Sequence, residues 1–194
     1  MAAYFPRIHK QSPSSEEAAI TLINLGLRNP RRSLHDDRRA CESVAESIRS
    51  LHGFRWRILA YSLLPDRLDV LVLGNRSQAE FAQLLKGRIA SRLRRLGFRR
   101  VWQGGIRYRV IRREEDLAGA ISHVLASPVR ARIAWSWNTY PWCGSAEWPD
   151  IDEWFLSLRR GDRRFRSELE NGTGILQRSQ LYLGGGSKDR MPVK

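Results

Sequence analysis

Arg88, Arg92, Arg95 and Arg99 recur every three or four residues, the spacing that stacks side chains along one face of a helix. A row of guanidinium groups suits phosphates, because each planar fork donates two parallel hydrogen bonds to an oxyanion. Leu85, Ile89, Leu93 and Leu96 form an adjoining apolar stripe on the same segment. The arginines therefore rim the buried edge and are placed to line a groove beside a sheet. The plainer alternative is arginine stems covering apolar surface. Arg94, Arg100, Arg107, Arg109 and Arg112 continue the run. Residues 86–132 hold 13 basic and 3 acidic side chains, a net of +10, whereas residues 1–85 hold 12 and 9 and residues 133–194 hold 9 and 8. A basic block inside the folded middle points to a polyanion, nucleic acid before membrane. An anionic membrane would need an exposed apolar helix face beside the charge, and none stands out.

Groups that could do bond chemistry are few. Arg67 and Asp69 lie two apart in RLDVLVLG, so a strand presents both on one face. Asp69 is a hard-oxygen donor of the kind Mg²⁺ prefers. Arg67, however, puts a cation where such an ion would sit. The pair reads as a salt bridge, or Arg67 as a direct clamp on a phosphate. His123 could form a phosphohistidine or be a polar residue on a helix surface. Tyr108 could act as a nucleophile, or simply pack. Tyr4, Tyr61, Tyr140 and Tyr182 fall in an arm, a strand, a turn and a tail. His9, His35 and His52 are scattered, and Cys41 and Cys143 form no C-x-x-C, so no metal spacing appears. GGGSK (184–188) lacks the strand and spacing of a phosphate loop.

The elements that must position these residues follow from periodicity and breakers. The chain has 194 residues, enough for one domain that folds without disulfide or metal. Residues 1–17 read as a loose arm, 18–150 as the domain, 151–170 as a helical extension and 171–194 as a flexible tail. Ala18–Leu27 is an apolar strand, broken by Asn29-Pro30. A helix runs from Ser33 to Leu51, with Asp36 and Asp37 in its first turn. Phe54–Leu64 and Arg67–Gly74 form a hairpin over Pro65-Asp66. Ser77 starts a helix to Leu96, with Glu80 completing a capping box. Ile106–Arg112 is a fourth strand, and Glu114–Ser127 a third helix closed by Pro128. The order β-α-β-β-α-β-α predicts an α+β, ferredoxin-like fold with an antiparallel sheet and helices on one face. No run is long and apolar enough for a membrane span or a signal peptide, and a cytoplasmic protein, with nucleoid association open, is expected.

AYSLLPDRLDVLVLG (60–74) resembles the strand A-Y-x-L-M-P-N-H-x-H-x-L-L of the REP-associated tyrosine transposases. The similarity continues in order. SRLRRLGFRRVWQGGIRYRVIR (91–112) resembles that family's arginine-rich helix, its Trp-Gln and its D-H-V-I-R strand. EEDLAGAISHVLASPVRA (114–131) resembles its E-E-E-L-x-x-A-x-x-Y-I-x-x-N-P-V-x-A helix, and Tyr140-Pro141-Trp142 its Y-P-W-S-S. Residues 152–172 resemble an extension of some members.

The resemblance implies a domain that holds short imperfect DNA hairpins with single-stranded flanks, and it suggests a monomer. It also implies strand cleavage by a tyrosine hydroxyl, aided by Mg²⁺ or Mn²⁺ on two histidines of the strand and a third ligand four residues after the tyrosine. At the matching positions stand Arg67 and Asp69 for the histidines, His123 for the tyrosine and Ser127 for the asparagine. Arg109 and Tyr108 replace the His and Asp of D-H-V-I-R, while Gln103 is kept. The expectation is a transposase-like DNA-binding protein with no catalytic residues, no metal and no cofactor. Its DNA contacts are expected at Arg88, Arg92, Arg95, Arg99, Arg100, Gln103, Arg107, Arg109 and Arg112. The alternatives are an active single-strand transposase or nicking enzyme with a non-standard site, and an RNA-binding protein.

Two further features are open. Five of the seven tryptophans lie between Trp135 and Trp154, where most are expected to pack over the sheet and some could stack bases. Arg159, Arg160, Arg163, Arg164 and Arg166 form a second basic cluster, either a DNA grip or a solvated face.

Overall fold

The computed structural model describes residues 19–28, 34–53, 55–74, 77–111 and 117–151. The chain divides into two units between Ile151 and Asp152, and every described residue belongs to the first. The expected arm, the extension beyond Ile151 and the tail lie outside the described residues, as do Arg112, Trp154 and the second arginine cluster.

Five strands form one sheet: β1 (Ala19–Gly26), β2 (Trp56–Leu63), β3 (Arg67–Gly74), β4 (Arg107–Ile111) and β5 (Cys143–Gly144). Their order is β4-β1-β3-β2-β5, and each pairing is antiparallel. β1 and β2 both flank β3, so they run parallel and need a crossover, which α1 (Arg38–Arg49) supplies. α2 (Gln78–Arg95) does the same between β3 and β4. This is the expected split βαβ arrangement.

Alternation along the strands decides what each face covers. Ile23 and Leu25 of β1 and Leu68, Val70 and Val72 of β3 pack with Ala40, Cys41, Val44 and Ile48 of α1 and with Phe81, Leu85, Ile89 and Leu93 of α2. Leu22, Leu71 and Leu73 alternate with these and are buried too. Both faces of the inner strands are therefore apolar, and one layer of helices cannot cover them. The expectation of helices on one face holds for α1 and α2. α3 (Leu117–Leu125) lies on the other face, packs on β2 and β3, and buries Ile121, Val124 and Leu125 there.

Local chemistry moved several boundaries. Leu34–Asp36 is a 3-10 turn, and Asp37 caps α1 from an extended conformation, its Oδ1 accepting from the Ala40 amide at 3.1 Å. Ser77 makes no side-chain cap bond, so the capping box expected there does not form. Pro128 does not end the helical region. It sits in the first turn of α4 (Ser127–Arg130), where its missing N–H costs nothing. β5 was not legible from two residues, Cys143 and Gly144, although Tyr140, three residues before it, also bonds to β2. The Tyr140 hydroxyl donates to the Leu63 carbonyl at 2.6 Å, so it must accept its 2.6 Å bond from His35 Nε2–H.

Candidate nucleic-acid interface

Strand register brings the polar residues of the α3 face into rows. One row runs Arg107, Asn24, Asp69 and Ser62 across β4, β1, β3 and β2. The next runs Arg109, Leu22, Leu71 and Ala60. Arg67 precedes Asp69 by two and shares its face. α3 lays His123 above this surface, and α4 adds Ser127 and Arg130.

Asp69 is the buried acid of the cluster, its side chain 6% exposed. Its Oδ1 accepts from Asn24 Nδ2 at 2.7 Å, and its Oδ2 accepts from Arg67 Nε at 3.2 Å. The Arg67 guanidinium extends outward, 38% exposed, and also donates from Nη1 to Asp66. Ser62 lies opposite Asp69 and is buried, with no partner for its hydroxyl among the described residues. Ser127 Oγ donates to the His123 carbonyl at 3.0 Å. Arg130 Nη2 donates to the same carbonyl at 2.5 Å and to Ser127 Oγ at 2.8 Å.

Burial holds His123 below its ordinary value, Arg130, Arg109 and Arg67 add to this, and Asp69 works the other way. Three guanidiniums and one carboxylate thus surround an imidazole that favours the neutral form. Arg130 is lowered by burial, raised by Asp69 and lowered by Arg67, which places all three in one field. Because the folded His123 titrates below the unfolded one, its contribution to stability is complete above the ordinary value of 6.5 and is lost as pH falls through that range. Thermal melts from pH 7.5 to 5 should show wild type losing more stability than His123→Asn over that span. Equal losses would place the imidazole outside the cluster's field.

The sequence-expected contacts fall into two groups on opposite faces of the sheet. Arg107 and Arg109 join the α3 face. Arg88 and Arg92 belong to the α2 side and tie it to α1: Arg88 Nη1 donates to Ser50 Oγ at 2.8 Å, and Arg92 Nη1 reaches Glu46 Oε2 at 2.5 Å. Arg95, Arg99 and Arg100 are exposed around the end of α2. Gln103 stitches the chain onto β1, its amide donating to Gly26 O and its Nε2 to Leu27 O, each at 2.9 Å. A Cβ on Gly26 would lie 2.9 Å from Gln103 Oε1, so a larger residue there would push the Gln103 side chain aside. Tyr108 turns its ring toward the α1–α2 core, away from Arg107 and Arg109. Tyr61 is buried, which raises its hydroxyl.

Asn24 and Arg130 were missed as site residues. Asn24 was visible as the lone amide in the apolar run AITLINLGL, and Arg130 by its helical spacing from Ser127.

The fold is similar to that of a solved REP-associated tyrosine transposase bound to a REP hairpin. The likeness has a TM-score of 0.53 at 15% identity and covers 73% of this chain and 91% of that one. It shows a shared fold. No protein-family model matches the chain, and no curated protein does.

The divalent ion implied by the sequence resemblance does not fit these residues. Both Asp69 oxygens are engaged, one of them by a cation, and a hard ion needs several free oxygens. Among the described residues no three His, Cys, Asp or Glu side chains gather around a common point. Among the same residues no helix is long and apolar enough to cross a membrane.

Proposed function

We propose that this chain binds DNA hairpins bearing a single-stranded flank on the α3 face of its sheet, and that it does not cut them. The observation that carries the reading is the Arg67–Asp69–Asn24 network, with Arg109 and Arg130 close by. It presents guanidinium forks of the kind that suit a phosphate and no free oxygens to a metal. The neighbour of like fold is bound to a hairpin, which supports this class of ligand. The local net of +10 over residues 86–132 supports a polyanionic partner, and Arg107, Arg109 and Arg130 are the share of it on the α3 face. Cleavage would need a nucleophile beside a polarised phosphate. His123 has three guanidiniums and no metal site near it, and Tyr108 faces the other way.

One titration tests both halves. Labelled hairpins with flanks, matched blunt hairpins and matched RNAs are mixed with the protein over a salt series. Anisotropy gives affinity and the number of phosphates contacted. A denaturing gel of the same samples, with Mg²⁺ and Mn²⁺, detects cut strands or covalent adducts. The expected result is submicromolar, salt-steep binding of flanked DNA hairpins and an unchanged strand. A covalent adduct overturns the non-cutting half, and tighter binding of the matched RNA overturns the choice of DNA.

A further inference from the structure

We propose that Trp135 is a stacking platform for an unpaired base, five residues along the chain from Arg130 of the arginine cluster; this deepens the DNA-binding reading and rests on it. Trp135 is fully exposed, at 101% relative accessibility. Trp56 is buried, and Trp102, Trp137, Trp142 and Trp148 are partly buried. Of the large apolar side chains exposed among the described residues, Leu84 stands apart, while Val129, Ile133 and Trp135 fall within seven residues. Arg130 and Arg132 alternate with them.

The backbone holds this arrangement. The Arg132 amide donates to Val129 O and the Ile133 amide to Pro128 O, each at 3.0 Å. Arg132 itself adopts a left-handed conformation, φ 59°, uncommon for a residue with a side chain. The chain is thus reversed just after α4 and leaves with Trp135 projecting. Arg130, at the end of α4 that this reversal follows, reaches back to His123 and Ser127.

The occupant follows from the chemistry. A fully exposed flat indole on a segment that also carries Arg130 and Arg132 suits a flat base on an anionic backbone. One aromatic ring and two aliphatic side chains fall far short of the roughly 800 Å² per partner of a stable protein interface. Stacking accepts any base, so the platform would hold the flank without reading it.

The test compares wild type, Trp135→Ala and Trp135→Phe on three DNAs: a blunt hairpin, the same hairpin with a flank, and that flank made abasic. Trp135→Ala should bind the flanked hairpin about tenfold more weakly, with Trp135→Phe close to wild type. Affinity for the blunt hairpin should not change, and the abasic flank should weaken wild type as much as the alanine does. Unchanged binding of the flanked hairpin by Trp135→Ala, with wild type binding all three DNAs, overturns the platform and leaves DNA binding standing. Absence of binding to any DNA by wild type overturns both. Light scattering of the same proteins covers the remaining occupant. A wild-type dimer that becomes a monomer in Trp135→Ala, with DNA affinity unchanged, assigns the ring to a second copy and also overturns the platform.

Discussion

A chain carrying Arg109→Ala and Arg130→Ala together should bind a flanked DNA hairpin about 100-fold more weakly at physiological salt, with the slope of log affinity against log salt falling by about 1.4–1.8. The two arginines come from different elements, β4 and α4, yet both act on His123. Each contacted phosphate adds ~0.7–0.9 to that slope, so the slope counts contacts where affinity alone does not. Arg130 also binds the His123 carbonyl and Ser127 Oγ, and its loss frays the junction of α3 and α4. Lysine at both positions separates the roles. It keeps the charge but not the fork, and should restore most of the slope and part of the affinity. A slope unchanged by the alanine pair would move the interface to another face, with Arg95, Arg99 and Arg100 next in line.

The second large effect is on stability. Arg67→Ala leaves the Asp69 carboxylate buried with Asn24 as its remaining partner. Removing one member of a fully buried pair costs about 3–5 kcal/mol. Arg67 is 38% exposed and therefore screened, which brings the expected loss to about 2 kcal/mol. For a chain of this size that lowers the thermal midpoint by about 4–8 °C. Asp69→Ala should cost less, because Arg67 keeps Asp66 and water. The double variant Arg67→Met/Asp69→Leu should recover most of the loss, since apolar residues of similar volume often replace a buried ion pair at little cost. A double-mutant cycle reads the coupling directly. Additive single effects would mean that the two side chains share a face without supporting each other.

The four longer strands and the two crossover helices were legible because short apolar strands and helical stretches alternate clearly along the chain. β3 was read at its observed bounds, Arg67–Gly74, since its alternation is bounded by Pro65 on one side and Gly74 on the other. The Arg67–Asp69 pairing was legible for the same reason, as period two puts the residues on one face. What the chain's one-dimensional pattern hides is which strand lies beside which. Asn24 meets Asp69 through a register set 45 residues apart. Arg88 and Arg109 look alike in composition, yet one faces α1 and the other the opposite side of the sheet. The side of α3 was hidden as well, because periodicity reports an apolar stripe and not the surface that receives it. Trp135 and Trp137, two residues apart, show the same limit, one wholly exposed and the other partly buried.

β4 ends the sheet among the described residues and is five residues long, with arginine at two alternating positions. An open strand edge is a template on which a second copy can add its own strand. Two β4 edges meeting head to tail would bring Arg107 and Arg109 against their own counterparts, and like charges directly opposite oppose such pairing. These side chains therefore disfavour pairing of two copies through β4, whether or not any nucleic acid is at hand.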